Sequence, residues 1–188
     1  MNAGFKKTIR IMTRMGDGGM TTLADGSRVA KSSPRIEAMG NVDELNSLIG
    51  LLLSENLSAE IKSELTAIQN DLFDIGAELA GSAQKRMEEE KVLRLENQAE
   101  KYDASLLPLQ GFILPGGIRE GALLHYVRSV CRRTERSVFV LAESENISEA
   151  IGKYLNRLSD LLFIYARVVN REAGKPDRLW KKSKNDAE

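Results

Sequence analysis

The sequence predicts an all-α fold, a five-helix bundle that follows an irregular glycine-rich N-terminal segment. Apolar residues recur three and four positions apart over most of residues 36–173, which is the period of amphipathic helices. Four prolines and an aromatic content of 5% in 188 residues disfavour an all-β sandwich. Four or five such helices joined by short loops are typical of a bundle.

The first elements differ sharply in pattern. Residues 13–34 hold four of the 15 glycines and have no apolar period, so we predict a loop. A first helix is predicted over 37–54. A second is predicted to begin after Ser58 and to end near Gly81, because six apolar residues form a continuous stripe between them: Ile61, Leu65, Ile68, Leu72, Ile75 and Leu79.

The second half of the chain predicts three more helices. Residues 87–104 are rich in charge and predict a shorter, more exposed helix. Pro108 to Gly117 breaks the pattern, and two long helices are predicted over 118–144 and 148–173. We expect one domain over 1–188, in which residues 1–35 form an irregular N-terminal segment, 36–173 form the bundle and 174–188 form a tail.

Composition excludes several classes of function. Lys plus Arg and Asp plus Glu both number 27, so a broadly basic nucleic-acid binder is not expected. One cysteine and one histidine exclude a disulfide framework and a zinc site built from several such residues. No apolar run reaches the length of a secretory or membrane segment, so we expect a cytoplasmic protein, with a short organellar presequence as the alternative.

The glycine-rich head is the first candidate site. Glycines at 16, 18 and 19 let backbone N–H groups approach an anion, and Arg14, Thr21 and Thr22 can add donors. The spacing matches neither a P-loop nor a dinucleotide fingerprint. The head is therefore either a phosphate site or a solvated turn, and Lys31 is either a phosphate partner or a surface lysine.

The helix at 118–144 carries two faces. Its core face includes Val127, Val130 and Val138. A second, charged stripe contains Arg128, Arg132, Glu135, Arg136 and His125, and Arg133 adds a fourth arginine alongside it. Arginine forks suit phosphate oxygens, although a solvated face in which Glu135 pairs with Arg132 would give the same pattern. We interpret His125 as a packed histidine and Cys131 as a small buried residue.

Three further features are ambiguous on their residues alone. Phe163 lies on the polar side of the last helix with Asn156 and Arg167, where it suggests a subunit contact or an apolar ligand, or else a singly exposed aromatic. Asp43 could pair with an arginine of another element. The segment Phe112–Gly117 is either a buried linker with a turn or a hydrophobic finger held against a flat ligand.

Five motifs, taken in order, resemble the PduO-type ATP:cob(I)alamin adenosyltransferases over roughly residues 8–181. They are TRMGDGGMT, PRIEAMGNVDELNSLIG, FILPGG, RSVCRRTERS and YLNRLSDLLFIYAR. The resemblance implies an enzyme that makes adenosylcobalamin from ATP and cob(I)alamin and releases triphosphate. It also implies a homotrimer with active sites between subunits, Mg²⁺ as a companion of ATP, and delivery of the product to a B12-dependent enzyme after a corrinoid reductase has supplied the substrate.

The resemblance also assigns residues. It implies that ATP is held by the head, by Lys31, by the run Arg132–Ser137 and by Asn156, that is by Thr13, Arg14, Gly16, Asp17, Gly18, Gly19, Thr21, Lys31, Arg132, Arg133, Glu135, Arg136, Ser137 and Asn156. Phe112 and Phe163 are implied to line the cobalamin pocket, where Phe112 lies against the lower face of the corrin and displaces the lower ligand of cobalt. Asp43 is implied to pair with Arg128 of a neighbouring subunit. The implied catalytic set is Phe112, Arg128, Arg132 and Glu135, and no metal ligand from the protein is implied with certainty.

The scarcity of histidine and cysteine agrees with this chemistry. Cobalt(I) is itself the nucleophile, so the protein needs no serine, cysteine or general base. Two other functions stay open on the sequence: a carrier that stores adenosylcobalamin and hands it to a mutase, and a nucleotide-binding helical scaffold. A carrier needs no triphosphate site, so the motifs favour the enzyme.

Overall fold

The computed structural model describes residues 12 and 14–181. Within them, a two-stranded hairpin precedes five helices, namely α1 (Pro34–Leu53), α2 (Ala59–Leu79), α3 (Glu89–Asp103), α4 (Arg119–Ala142) and α5 (Glu149–Glu172). The predicted all-α class is confirmed, and every predicted helix is present with bounds that agree to within a few residues.

The hairpin corrects the prediction of a plain loop over 13–34. Strand β1 (Met20–Thr22) pairs antiparallel with β2 (Arg28–Ala30), and Gly26 takes a positive φ of 86° in the turn between them. The turn is closed by the Ser27 backbone N–H and hydroxyl, which both donate to one carboxylate oxygen of Asp25 at 2.8 and 2.7 Å. Strands of three residues are too short to produce a readable alternation of side chains.

The helix ends follow from local chemistry. Ser33 caps α1 by accepting a hydrogen bond from the backbone N–H of Ile36, and Pro34 occupies the first turn, where its missing N–H costs nothing. Ser58 caps α2 in the same way through Ile61 at 3.3 Å. Gly81 follows α2 with a φ of 88°, a conformation that a side chain would strain.

One apolar core lies between the helices. Helix α1 packs on α2 and α4, and α5 packs on α3 and α4, so the order around the bundle is α2–α1–α4–α5–α3. The apolar stripe of α5 is buried throughout: Ile151, Tyr154, Leu158, Leu162, Tyr165 and Val169. Among residues 12 and 14–181, no helix is both long and apolar enough to cross a membrane.

Two side chains on the polar stripes of their helices are buried. His125 is only 5% exposed, which confirms its interpretation as a packed histidine; α4 packs against both α1 and α5, so its buried surface is wider than one stripe. Arg167 is also 5% exposed, and it donates to the Asp177 carboxylate at 2.8 Å and to the Leu107 carbonyl at 2.7 Å. Cys131 is fully buried, as interpreted from the sequence, and burial raises the pKa of its thiol.

Candidate functional site

The glycine-rich head forms an open cleft of about 510 Å³ beside the hairpin. The cleft is lined by Met12, Thr22 and Lys31 and by six residues of the head: Arg14, Met15, Gly16, Asp17, Met20 and Thr21. Thr13 lies outside the described residues. The cleft therefore collects two cationic side chains, hydroxyl groups and glycine backbone around one space, which is the composition expected of an anion site.

The backbone of the head is shaped for close approach. Arg14 has a φ of 60°, which is uncommon for a residue with a side chain, and Gly19 has a φ of 77°. The Gly19 carbonyl accepts from the Lys31 backbone N–H at 2.8 Å and so closes the mouth of the hairpin. A methyl group on Gly16 would lie 2.8 Å from Lys31 Nζ, so only glycine leaves the ammonium its place.

The arginines of α4 have different surroundings. Arg133 forms an ion pair with Glu44 of α1. Arg132 and Arg136 are exposed, and within residues 12 and 14–181 neither has a hydrogen-bond or ion-pair partner. The alternative in which Glu135 neutralises Arg132 is not what the structure contains, because Glu135 bonds elsewhere. Two arginine forks are thus open to an external anion.

Glu135 and Asn156 meet across α4 and α5. The Asn156 amide donates to Glu135 Oε1 at 3.0 Å, while its own oxygen accepts from Arg157 at 2.6 Å. The Ser137 hydroxyl donates to the Thr134 carbonyl at 2.8 Å. These contacts fix the orientation of the Glu135 carboxylate and the Asn156 amide, both of which are half-buried.

A second cluster surrounds Phe163 on the same two helices. The Arg128 guanidinium lies 5.6 Å from the centre of the Phe163 ring, and the His125 ring lies 5.8 Å from it in an edge-on arrangement. Burial, with a further contribution from Arg128, lowers the pKa of His125, so its imidazole is neutral near pH 7. Arg128 Nε and His125 Nδ1 are buried and have no hydrogen-bond partner among the described residues.

The predicted partner of Arg128 stays apart from it within one chain. Asp43 is exposed on α1 and forms no ion pair within the described part of the chain, where Glu44 rather than Asp43 pairs with α4. Burial and the neighbouring Arg132 both lower the pKa of Arg128. The intersubunit pair of Asp43 with Arg128 remains a prediction.

Phe112 lies on the loop between α3 and α4. Its side chain is 80% exposed, although its backbone carbonyl accepts from the Trp180 N–H at 2.7 Å. The Trp180 ring lies edge-on to Phe112, with 6.4 Å between ring centres. Of the two interpretations of Phe112–Gly117, the buried linker does not describe Phe112.

Two parts of this region were missed by the sequence reasoning. Residues 178–180 lie alongside the Phe112 loop, with a bridge between Ile113 and Leu179, and Asn170 of α5 bonds to the end of the same loop. The tail offers no periodic pattern over three residues. The one sequence signal was an asparagine within the apolar last turns of α5.

The site has three described parts: a cationic cleft, two open arginines and an exposed phenylalanine on an anchored loop. Within one chain, no hydrogen bond or ion pair among the described residues joins Arg14 or Lys31 of the cleft to Arg132 of α4. Such a combination is typical of proteins that bind a polyanion together with an apolar ligand.

Comparisons with known proteins narrow this class. The cobalamin adenosyltransferase family model matches residues 11–169. A cobalamin adenosyltransferase of Cupriavidus metallidurans is 49% identical over 93% of this chain and 96% of its own. A corrinoid adenosyltransferase of Bacillus subtilis is 43% identical over 93% and 94%. A variant PduO-type ATP:corrinoid adenosyltransferase of Lactobacillus reuteri, solved with cobalamin and ATP, matches with a TM-score of 0.87 and 34% identity over 92% of this chain and all of that one.

The chain belongs to the cobalamin adenosyltransferase family. The resemblance to its PduO-type members is confirmed, and with it the prediction that the chain is an enzyme, a corrinoid adenosyltransferase. The assignments of individual site residues stay predictions.

Proposed function

We propose that this enzyme transfers the 5′-deoxyadenosyl group of ATP to cob(I)alamin, forming adenosylcobalamin and releasing triphosphate. The observation that carries the proposal is Phe112, whose ring is 80% exposed on a backbone that is hydrogen-bonded at both ends of its loop. An exposed aromatic ring on a fixed backbone offers a flat apolar surface, as the lower face of a corrin requires. The related Lactobacillus reuteri structure contains cobalamin and ATP together.

In the proposed step, cobalt(I) donates an electron pair to the 5′ carbon of ATP while the bond from that carbon to the triphosphate oxygen breaks. Triphosphate leaves with the bonding pair, and the cobalt passes from the +1 to the +3 state in the new cobalt–carbon bond. The nucleophile belongs to the substrate. The burial of Cys131 and the neutral, buried His125 are compatible with this, because neither side chain has to act as a nucleophile or base.

The protein's own contribution is to position ATP and to neutralise the leaving group. Arg132 and Arg136 have no internal partner among the described residues, so their forks can bind phosphate oxygens without first breaking an ion pair. The cleft adds Arg14, Lys31 and backbone donors. The bond between Glu135 and Asn156 sets both groups in a fixed position for the ribose or the base.

Mg²⁺ fits the site as a companion of ATP. The ion usually keeps several waters and is held by substrate phosphates with one or two carboxylates. Asp17 supplies one carboxylate in the cleft, and residues 12 and 14–181 contain no group of three or more His, Cys, Asp or Glu side chains that would form a protein cage. The ion would neutralise part of the triphosphate charge.

We infer that the active site is completed between subunits of a homotrimer. The cleft and the open arginines are not joined within one chain, and Arg128 Nε is buried without a partner among the described residues. Asp43, exposed and unpaired in the described part of the chain, carries the charge that Arg128 needs. The segment 1–35 and the bundle 36–173 would then act as one domain whose site uses two copies.

The reaction implies partners before and after it. Cob(I)alamin must come from a reductase, and we propose that the product passes to a B12-dependent enzyme. The need for ATP and for a reduced corrinoid leads us to propose the cytoplasm as the place of reaction.

Replacement of Phe112 by Ala tests the role of the exposed ring. Anaerobic incubation with ATP and reduced cobalamin, followed by the cobalamin spectrum, measures product formation. We expect kcat to fall about 100-fold or more while the KM for ATP changes little, because, of the two substrates, the ring would contact only the corrin. Phe73→Ala is the matched control, since Phe73 is 72% exposed on α2 and lies in none of the three parts of the site.

The outcomes separate the candidate functions. Equal losses in kcat and in ATP affinity would contradict the assigned role of Phe112. Binding of adenosylcobalamin without any product from ATP and cob(I)alamin by the unaltered protein would favour the carrier instead.

A further inference from the structure

Residues 178–180 anchor the first half of the loop that carries Phe112. The Trp180 N–H donates to the Phe112 carbonyl at 2.7 Å, and the Leu114 N–H donates to the Arg178 carbonyl at 2.8 Å. These two bonds hold residues 112–114 as a short antiparallel pair with residues 178–180. Among the described residues, Pro115–Gly117 of the second half of the loop have no such backbone partner, and the Ile118 carbonyl accepts from the Ala122 N–H of α4.

A single side chain anchors that second half. Asn170 lies on α5 and is only 5% exposed. Its amide Nδ2 donates to the Gly116 carbonyl at 2.9 Å, and its Oδ1 accepts from the Ile118 backbone N–H at 3.0 Å. The amide thus bonds both sides of the Gly116–Ile118 turn, as a neighbouring strand would do.

The glycines around Asn170 are fitted to it. A Cβ at Gly117, or at Gly121 in the first turn of α4, would overlap the Asn170 amide. Gly117 also has a φ of 109°, which disfavours a side chain. No other hydrogen bond of the Asn170 side chain exists among the described residues, so its polar atoms serve the turn alone.

We propose that Asn170 is a positioning residue. It holds the Phe112 ring at the position on the lower face of the corrin where the ring keeps a lower ligand away from cobalt. This inference rests on the proposed function of Phe112. Residues 112–114 are joined to α4 only through the turn at Gly116–Ile118. If the turn loses its bonds to Asn170, residues 112–114 can tilt about their hydrogen bonds to residues 178–180. A displacement of about 1 Å is enough to cost about 100-fold in a reaction that depends on alignment.

The test compares Asn170→Ala with the double variant Asn170→Ala/Gly121→Ala. The single variant leaves a cavity and frees the turn. The double variant refills part of the cavity with the methyl group of Ala, which suits the helical backbone at Gly121, and leaves the turn free. Asn170→Asp, which keeps the shape and the acceptor for Ile118 and loses the donor to Gly116, serves if either variant fails to fold.

Three quantities are measured on each variant: the thermal unfolding temperature, the kcat and KM for ATP, and the spectroscopic fraction of cob(II)alamin in the four-coordinate form with ATP present. We expect Asn170→Ala to lower kcat and the four-coordinate fraction about 10-fold or more, with the KM for ATP within about twofold. The double variant should regain unfolding temperature and regain neither kcat nor the four-coordinate fraction.

Recovery of kcat and of the four-coordinate fraction together with stability would overturn the proposal, because Asn170 would then act through packing alone. Phe112→Ala is run in parallel. If it loses the four-coordinate signal while Asn170→Ala and Asn170→Asp keep it, the positioning role alone is wrong. If Phe112→Ala itself keeps the signal, the assigned role of Phe112 is wrong, and the positioning role is wrong with it.

Discussion

Asp71 connects three helices at the side of the bundle formed by α2, α3 and α5. It is 5% exposed and accepts from the Tyr154 hydroxyl at 2.8 Å, from Arg94, and from Lys91 Nζ at 3.0 Å. None of these residues lines the cleft or the Phe112 loop. Replacing Asp71 with Asn therefore tests whether a buried charge holds the bundle together without touching the candidate site.

The loss of stability expected for Asp71→Asn depends on which carboxylate partners Lys91 and Arg94 retain. Breaking a buried ion pair by removing one partner costs about 3–5 kcal/mol. Lys91 keeps Asp74 at 2.7 Å and Arg94 keeps Glu64 at 3.1 Å, so each cation retains one carboxylate. The amide can also still accept from Tyr154 and Arg94. We therefore expect a loss of about 2–3 kcal/mol, or about 4–12 °C in unfolding temperature for a domain of this size.

The matched control is Asp74→Asn. Asp74 contacts Lys91 and Arg86 but is more exposed, with 29% of its side chain accessible, and exposed pairs contribute about 0–1 kcal/mol. Both variants are unfolded thermally and in urea at one protein concentration, because assembly makes the unfolding temperature depend on it. Equal shifts in the two variants would refute the reasoning, as would a changed KM for ATP in Asp71→Asn.

Three further predictions follow from single contacts. Arg132→Ala should raise the KM for ATP about 10–100-fold, the worth of a charged hydrogen bond of about 1.5–3 kcal/mol, whereas Arg86→Ala, whose side chain pairs with Asp74 and lies in none of the three parts of the site, should change it less than about threefold; equal effects in steady-state kinetics would contradict this. Gly16→Ala should displace the ammonium of Lys31 and raise the same KM with the unfolding temperature unchanged, and adding it to Lys31→Ala should have no further effect. Burial, aided by Glu60, raises the pKa of Tyr102 to about 12, whereas the ordinary pKa of tyrosine is 10.0. Between these pH values the unfolded chain releases a proton that the native state keeps, so stability should fall as the pH rises. Urea unfolding should find a smaller fall in Tyr102→Phe.

The helices could be predicted because their signals are local and repeated. The six-residue apolar stripe of α2 and the capping residue Ser58 both predict a helix over the same residues. The structure contains the buried stripe and the capping bond. The hairpin could not be predicted, because three residues a strand give no period and its closure depends on Asp25 and Ser27.

The candidate site was only partly readable for a different reason. A helical wheel assigns one buried face, but α4 packs on two neighbours and buries His125 as well. The burial of Arg167 could not be predicted, because its partner Asp177 lies in the tail, and no local sequence pattern indicates where the tail packs. Asn170 escaped for the same reason, because its function lies in contacts with a loop more than fifty residues earlier in the chain.

The position of Arg128 and Arg132 is where local stability and function disagree most clearly. Like charges four residues apart on a helix are unfavourable, and here Arg132 contributes to the lowered pKa of Arg128. The chain has acids enough to neutralise both, since Asp plus Glu equals Lys plus Arg. Yet, within the described chain, the carboxylates that bond to α4 side chains pair with Arg119 and Arg133, and Glu135 of α4 itself bonds to Asn156. Because a pair of uncompensated arginines gains most from an anion that arrives from outside, this local disagreement is what a triphosphate, or an aspartate of another subunit, would relieve.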